Sequence, residues 1–315
     1  MRIAIFGTGG AGGYFGAQLA RAGEDITFIA RGEHLQTILT QGLRVETPEG
    51  EILISPAQAT DNPAEVGVAD VVIIGVKAWQ VAEAARSIRP MIGPKTFVLP
   101  LQNGVEAQSQ LAAVLGANQV VGGLCATLSW VIGPGRIRSI GKAHFVKFGE
   151  VDGRPSERVE RLRQTFERAG VKAEVPPNIH AALWEKFLFV ASVGGVGAVS
   201  RAPIGVIRDL PETRQMIESC MQEIFAVARA CGVTLADGII EKSRDFINSL
   251  DPNGTISLQR DIIDGKPSEL DAWNGAVVRL GREAGVATPV HEFIYHSLVP
   301  QELQARGKLT FTTAR

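Results

Sequence analysis

The chain of 315 residues has no excess of charge of either sign, little cysteine and no long uninterrupted apolar run. Lys plus Arg total 32 and Asp plus Glu 33, a net charge of -1. The basic surface that holds nucleic acid or an anionic membrane is therefore missing, and the expected partner is a small molecule. Cys125, Cys220 and Cys231 form no C-x-x-C pair and leave one cysteine over. This argues against a disulfide framework or a cysteine zinc site, and for reduced thiols in the cytosol. The five histidines are scattered, and His291 and His296 have the wrong spacing to share an ion from one helix face, so no metal is expected. The longest uncharged apolar stretch, Phe187 to Val199, is interrupted by three glycines and falls short of the roughly 20 residues of a membrane span. It reads as a buried helix. No secretion signal, internal repeat or low-complexity tract is expected either.

What is present is an ordinary folded composition, 45% hydrophobic and 21% charged, in a chain long enough for two domains. Short β-rich runs at Ile3 to Phe6, Ile26 to Ile29, Val71 to Val76 and Thr96 to Leu99 alternate with helical patterns, as in a parallel sheet covered by helices. A helix from Gly12 to Ala22, stopped by Gly23, joins the first two strands. Beyond Gly122, extended runs at Arg136 to Ile140, His144 to Gly149 and Lys172 to Val175 suggest antiparallel strands closing that sheet. From Asn178 onward helical periodicity dominates, over Asn178 to Val199, Pro211 to Cys231, Leu235 to Ser249 and Glu269 to Ala284. The expected fold is α/β: an N-terminal Rossmann-type parallel-sheet domain, residues 1–177, followed by a mainly α-helical C-terminal domain, residues 178–315. The apolar helices of the second domain point to a homodimer.

The strongest local signal is Gly7-Thr8-Gly9-Gly10-Ala11-Gly12, a G-x-G-x-x-G placed directly after a strand and opening a helix. Glycines there permit a tight turn and let backbone N–H groups approach a pyrophosphate at the positive helix end. Roughly 20 residues on, a fold of this kind that prefers NAD carries an Asp or Glu for the ribose hydroxyls. Here the second strand ends Phe28-Ile29-Ala30-Arg31. A guanidinium pairs with a 2′-phosphate, which favours NADPH/NADP+. The alternatives from these residues alone are a glycine-rich turn without a ligand and a surface arginine.

Two further segments lie at carboxyl ends of predicted strands, where α/β folds bind ligands: Lys77-Ala78-Trp79-Gln80-Val81 and Gln102-Asn103-Gly104. With the glycine motif, Arg31, Trp184-Glu185-Lys186, and Ser257 followed by Glu269, they resemble the ketopantoate reductase (2-dehydropantoate 2-reductase) family, over nearly the whole chain. The resemblance implies NADPH-dependent reduction of a small 2-oxo acid to a 2-hydroxy acid, as in pantothenate biosynthesis. It also implies Lys186 as general acid, with Lys77, Asn103 and Glu269 at the cofactor. Asn103, Lys186 and Ser257 would touch the substrate, and Glu269 would assist catalysis. The residues agree with that chemistry, since a ketone accepting hydride gathers negative charge on oxygen and needs a proton donor. The apolar turn Phe187 to Val190 is an environment that lowers an ammonium pKa. On residues alone, Lys186 could equally snorkel from a buried helix, Glu269 could merely complement a helix dipole, and Asn103-Gly104 could be a plain turn. Trp79 and Trp184 read as packing residues.

In one place the pattern departs from the family's. One and two turns beyond the lysine the family carries Asn residues that bind substrate, whereas this chain has Val190 and Gly194. Residues 186, 190 and 194 share a helix face, so two amides are lost from the substrate positions. Weak turnover of ketopantoate, and better turnover of an acid lacking its distal hydroxyl, is the expected result. Competing readings are a non-catalytic NADP(H)-binding sensor and a dehydrogenase of 3-hydroxy acids or imines. Lys186, Ser257 and Glu269 count against the first, and Lys77-Ala78-Trp79-Gln80 against the second.

Overall fold

A computed structural model describes residues 1–312, the side chains of residues 142 and 143 excepted. Among the described residues, ten strands run in chain order: β1 Arg2–Phe6, β2 Asp25–Ile29, β3 Leu43–Thr47, β4 Gly50–Ile54, β5 Gln58–Thr60, β6 Val71–Ile74, β7 Phe97–Pro100, β8 Val121–Gly133, β9 Arg136–Glu150 and β10 Lys172–Glu174. The helices of the same region are α1 Gly10–Arg21, α2 Gly32–Gln41, α3 Val81–Ser87, α4 Ala107–Leu115 and α5 Glu157–Arg168. Beyond them come α6 Ile179–Ser200, α7 Ile204–Asp209, α8 Pro211–Ala230, α9 Ile239–Ser249, α10 Ser257–Ile263, a π-turn at Asp271–Gly275, α11 Ala276–Ala284 and α12 Pro289–Ala305. These elements form two compact units, Met1–Gln102 with Glu106–His180, and Asn103–Val105 with the chain from Ala181 onward. The division falls a few residues past Pro177 and assigns the Asn103 turn to the helical unit.

In the first unit β5-β2-β1-β6-β7 form an all-parallel sheet. β1, β6 and β7 read as continuous apolar runs because both faces are covered. Successive side chains alternate sides. Ile3, Ile5, Ile73 and Leu99 join one core cluster, with Phe15 of α1 and Phe28. Ala4, Phe6, Val72, Ile74 and Val98 join another, with Val81 and Ala84 of α3 and Leu111 of α4. The chain leaves β1 toward β2 on one side and reaches β6 on the other. This is a topological switch point, where doubly wound sheets take ligands at the strands' carboxyl ends.

The extended runs after Gly122 do not close this sheet. β8 and β9 form a long antiparallel hairpin, and β9 continues into a second sheet ordered β10-β9-β3-β4. Lys172–Glu174 pairs parallel to β9, with Lys172 opposite Phe145, rather than antiparallel. The reason is tertiary: Ile137, Val146 and Phe148 of β9 lay an apolar face on the α1 side of the parallel sheet, where they share a core cluster with Phe166 of α5. What reads as two strands, Arg136 to Ile140 and His144 to Gly149, is one strand of 15 residues. Among the described residues, the only isolated bridge between the hairpin region and the parallel sheet joins Val98 to Val120.

In the helical unit, α6 is long and apolar enough to cross a membrane on length and composition, but 72% of its most apolar window is buried, as in a core helix. Between Glu269 and Ala284 the expected helix begins instead as a π-turn, and α11 then ends at Gly285 with φ +69°, a left-handed stop that glycine adopts without strain.

Candidate functional site

The candidate nucleotide-binding residues lie in the first unit. Gly7 has φ +100°, and a Cβ there would come within 3 Å of Val76 and Gly75. At Gly12 a Cβ would meet the Gly7 carbonyl at 2.2 Å, so α1 packs directly on the loop. Gly10 is required for another reason: its Cβ would fall 2.0 Å from the Ser129 carbonyl of β8. Gly9 alone is open, with nothing nearer than the Gly75 carbonyl at 4.0 Å. Gly9 is also the N-cap of α1, which has no side-chain cap hydrogen bond and no acidic residue in its first turn. Its leading N–H groups are the donors an anion would use, at the positive end of a 12-residue helix.

Backbone hydrogen bonds join this loop to the end of β2, because the N–H groups of Gly7 and Thr8 and the Thr8 hydroxyl all donate to the Ile29 carbonyl. Arg31, exposed, caps α2 two residues further on. Ala30 and Arg31 follow the strand where an NAD-preferring fold would place an acid. After β6, the Gly75 N–H donates to the Phe6 carbonyl, which sets the two crossover loops side by side. Lys77 comes next, half-buried, its ammonium 5.9 Å from the Trp79 ring centroid, a cation–π contact. Trp79 is 39% exposed, whereas Trp184 is buried edge-on to Phe187. Gln102 ties β6 to the segment after β7, its amide donating to the carbonyls of Ile74 and Val76 at 2.9 and 2.8 Å.

His34 is not among the residues that the sequence singles out. Its Nδ1 accepts the Gly135 N–H at 3.0 Å, which leaves Nε2 protonated to donate to the Thr8 carbonyl at 2.8 Å. The ring thus links the glycine loop to the turn between β8 and β9. Burial holds His34 below its ordinary pKa, only partly offset by the Thr8 carbonyl, so it stays neutral at physiological pH. A lone histidine two residues into a helix carries no sequence signal for this role.

The remaining candidate residues lie in the helical unit. Lys186, half-buried, and Val190 and Gly194, both buried, occupy one face of α6. Ser257 opens α10, and the residue before it, Ile256, packs on Gly194: a Cβ at Gly194 would stand 3.2 Å from its Cγ2. Glu269 is 7% exposed, and its carbonyl accepts the backbone N–H of Trp273, the buried centre of the π-turn. The same turn reaches α6, where the Asn274 amide donates to the Ala191 carbonyl at 3.3 Å. Gly104, with φ +112°, brings the Asn103 turn against it, 3.3 Å separating the Gly104 Cβ position from the Ala272 carbonyl. Tertiary packing therefore gathers the segments carrying Asn103, Lys186, Ser257 and Glu269, which are far apart in the chain, around Gly194 and the π-turn.

One support is invisible in the sequence. The buried Glu302 carboxylate of α12 accepts both the N–H and the hydroxyl of Ser268, next to Glu269. Arg306 donates to Glu302 and to the Ser268 carbonyl. Ser268, Glu302 and Arg306 fix the backbone from which Glu269 projects.

Comparison with known proteins identifies the family. The family model "Ketopantoate reductase PanE/ApbA" matches residues 3–153, and "Ketopantoate reductase PanE/ApbA C terminal" matches residues 178–302. An uncharacterized oxidoreductase of Bacillus subtilis, YkpB, is 30% identical over 306 residues, 96% of this chain and all of its own length. A 2-dehydropantoate 2-reductase of Mesorhizobium japonicum is 32% identical, covering 92% of this chain and 94% of that protein. The crystal structure of a ketopantoate reductase from Ralstonia eutropha JMP134 superposes with TM-score 0.88 at 31% identity, over 97% of this chain and 100% of that one. Two family models that together span most of the chain, and relatives that match it along nearly their whole length, place this protein in the ketopantoate reductase family of oxidoreductases.

Proposed function

We propose that this protein is a cytosolic, NADPH-dependent reductase that converts a small 2-oxo acid to the 2-hydroxy acid, with Lys186 as proton donor. One observation carries the reading: the helix of Lys186, the start of α10 at Ser257 and the turn after Glu269 pack on one another at Gly194.

A reduced nicotinamide, when bound, supplies the hydride that C2 of the oxo acid accepts. The residues supply the rest. The open side of Gly9 and the N-terminal turn of α1 receive the pyrophosphate, while Arg31 pairs with a 2′-phosphate and Lys77 adds positive charge beside the same strand ends. Asn103 contacts cofactor and substrate, and Ser257 binds the substrate carboxylate. As negative charge develops on the carbonyl oxygen, the Lys186 ammonium stabilises it and delivers its proton, leaving a neutral amine that is reprotonated from solvent. Glu269 holds the lysine and the nicotinamide end in register. One proton and one NADPH are consumed per hydroxy acid formed.

The test is NADPH oxidation over a panel of 2-oxo acids, with Lys186→Ala as the decisive variant. Loss of a general acid lowers turnover by about 10²- to 10⁴-fold, while NADPH affinity stays at the parent value. A non-catalytic NADP(H)-binding sensor, the second reading because the fold alone accommodates it, would have no turnover to lose on any acid of the panel.

A further inference from the structure

With Lys186 as the proton donor proposed above, the substrate's side chain meets the α6 face that carries Lys186, Val190 and Gly194, and the role inferred for Trp273 rests on that placement. The absence of a side chain at Gly194 does not leave a hole. A Cβ there would lie 2.9 Å from Cζ3 and 3.3 Å from Cε3 of Trp273, and 3.2 Å from Cγ2 of Ile256. The first of these distances is closer than packed carbons tolerate. Nor is the ring a loose end able to swing aside. Trp273 is fully buried, its backbone N–H is held by the Glu269 carbonyl, and its neighbour Asn274 bonds back to α6 through Ala191. The π-turn matters here because its wider ring of backbone shifts the side chains after Glu269 out of α-helical register.

The edge that Trp273 turns toward Gly194 is the benzo edge, which bears only C–H groups. The indole N–H lies on the opposite side of the ring system and has no acceptor among the described residues. Val190, one turn before Gly194, is apolar as well. We propose that Trp273 is a specificity-determining residue of this site. Buried behind Gly194, it fills the volume of a side chain there and backs the hydrocarbon surface of Val190 and Gly194, so the substrate is a 2-oxo acid whose side chain is hydrocarbon rather than hydroxylated. Trp273 and Gly194 are a reciprocal pair: the ring occupies the volume that an amide at 194 would need, so an amide there requires a smaller residue at 273.

The experiment compares kcat/KM for ketopantoate with that for 3,3-dimethyl-2-oxobutanoate, the same skeleton with methyl in place of hydroxymethyl. The parent enzyme favours the hydrocarbon acid by about 10- to 100-fold, the scale on which an apolar wall rejects an added hydroxyl. Gly194→Asn alone lowers activity on both acids and lowers Tm, because the amide meets the ring. Gly194→Asn combined with Trp273→Leu moves the ratio toward ketopantoate by about 10-fold relative to Trp273→Leu alone. Trp273→Phe is the milder control if the double variant fails to fold: it frees space behind the wall and raises kcat/KM for the longer 4,4-dimethyl-2-oxopentanoate, which has one methylene more than 3,3-dimethyl-2-oxobutanoate, by about 10-fold, one methylene's worth. Circular dichroism and NADPH affinity, unchanged in the folded variants, separate a specificity effect from a folding defect. A ratio unmoved in the double variant, no gain for the longer acid in Trp273→Phe, or a Gly194→Asn protein that acquires ketopantoate activity at the parent Tm overturns the assignment of Trp273 while leaving the reductase reading intact. A parent protein that turns over none of these acids sinks both.

Discussion

Replacing Glu302 by Ala removes the one carboxylate on which Ser268 and Arg306 converge. Ser268 is 1% exposed and gives Glu302 two hydrogen bonds, one from its N–H and one from its hydroxyl. Hydrogen bonds to a charged group contribute about 1.5 to 3 kcal/mol each. The Arg306 side chain, 24% exposed, rehydrates in part and adds less. The expected cost is about 3 to 6 kcal/mol for Glu302→Ala, and about half that for Glu302→Gln, which keeps an acceptor oxygen. Urea unfolding monitored by tryptophan fluorescence reads this selectively. Trp184 and Trp273 of the helical unit are buried, at 5% and 0%, whereas Trp79 and Trp130 of the other unit are 39% and 42% exposed and change less. Because Ser268 immediately precedes Glu269, the same variants lose kcat on the best 2-oxo acid while NADPH affinity is retained. A Glu302→Ala protein within about 0.5 kcal/mol of the parent, the range of an ordinary surface substitution, would refute the clamp.

Arg31→Ala is expected to raise KM for NADPH by about 10- to 100-fold, the loss of one charge-assisted pair, and to leave KM for NADH unchanged; equal effects on both cofactors in steady-state kinetics would refute the 2′-phosphate assignment. Acid should destabilise the helical unit through His291, which is fully buried, donates from Nδ1 to Glu223 at 2.7 Å, and is held below its ordinary 6.5 by burial, with Glu223 only partly offsetting this. The unfolded chain then binds the proton first, so this stability is complete above pH 6.5 and declines as pH falls toward the folded value, by at most about 1.4 kcal/mol per pH unit. Burial raises Glu223, but His291 and the N–H groups of Val290 and His291 outweigh it and leave it lowered, so its contribution disappears only below pH 4.5. The His291→Gln variant should lose the slope between pH 6.5 and 5 in urea titrations; an unchanged slope would remove His291 as its source.

Much of the arrangement is local and therefore written in the sequence. The runs at Ile3, Val71 and Phe97 are legible as strands because a strand buried on both faces is apolar nearly throughout. Gly7 to Gly12 announces a strand-to-helix turn because only glycine tolerates such close backbone approaches. Lys186, Val190 and Gly194 fall on one face because helical spacing puts them there. Periodicity cannot report which distant segment arrives. The second sheet reads in the sequence as a closure of the first because alternation fixes which side of a strand is apolar and leaves its neighbours open. His34 meets Thr8 and Gly135, and Glu302 meets Ser268, across separations no local pattern spans. The same holds at Gly194. That an expected amide is missing there is legible from the residues in order along the helix. That Trp273 fills the volume depends on tertiary packing, because in a close-packed interior a single side chain occupies such a space, and this one arrives from a turn far along the chain.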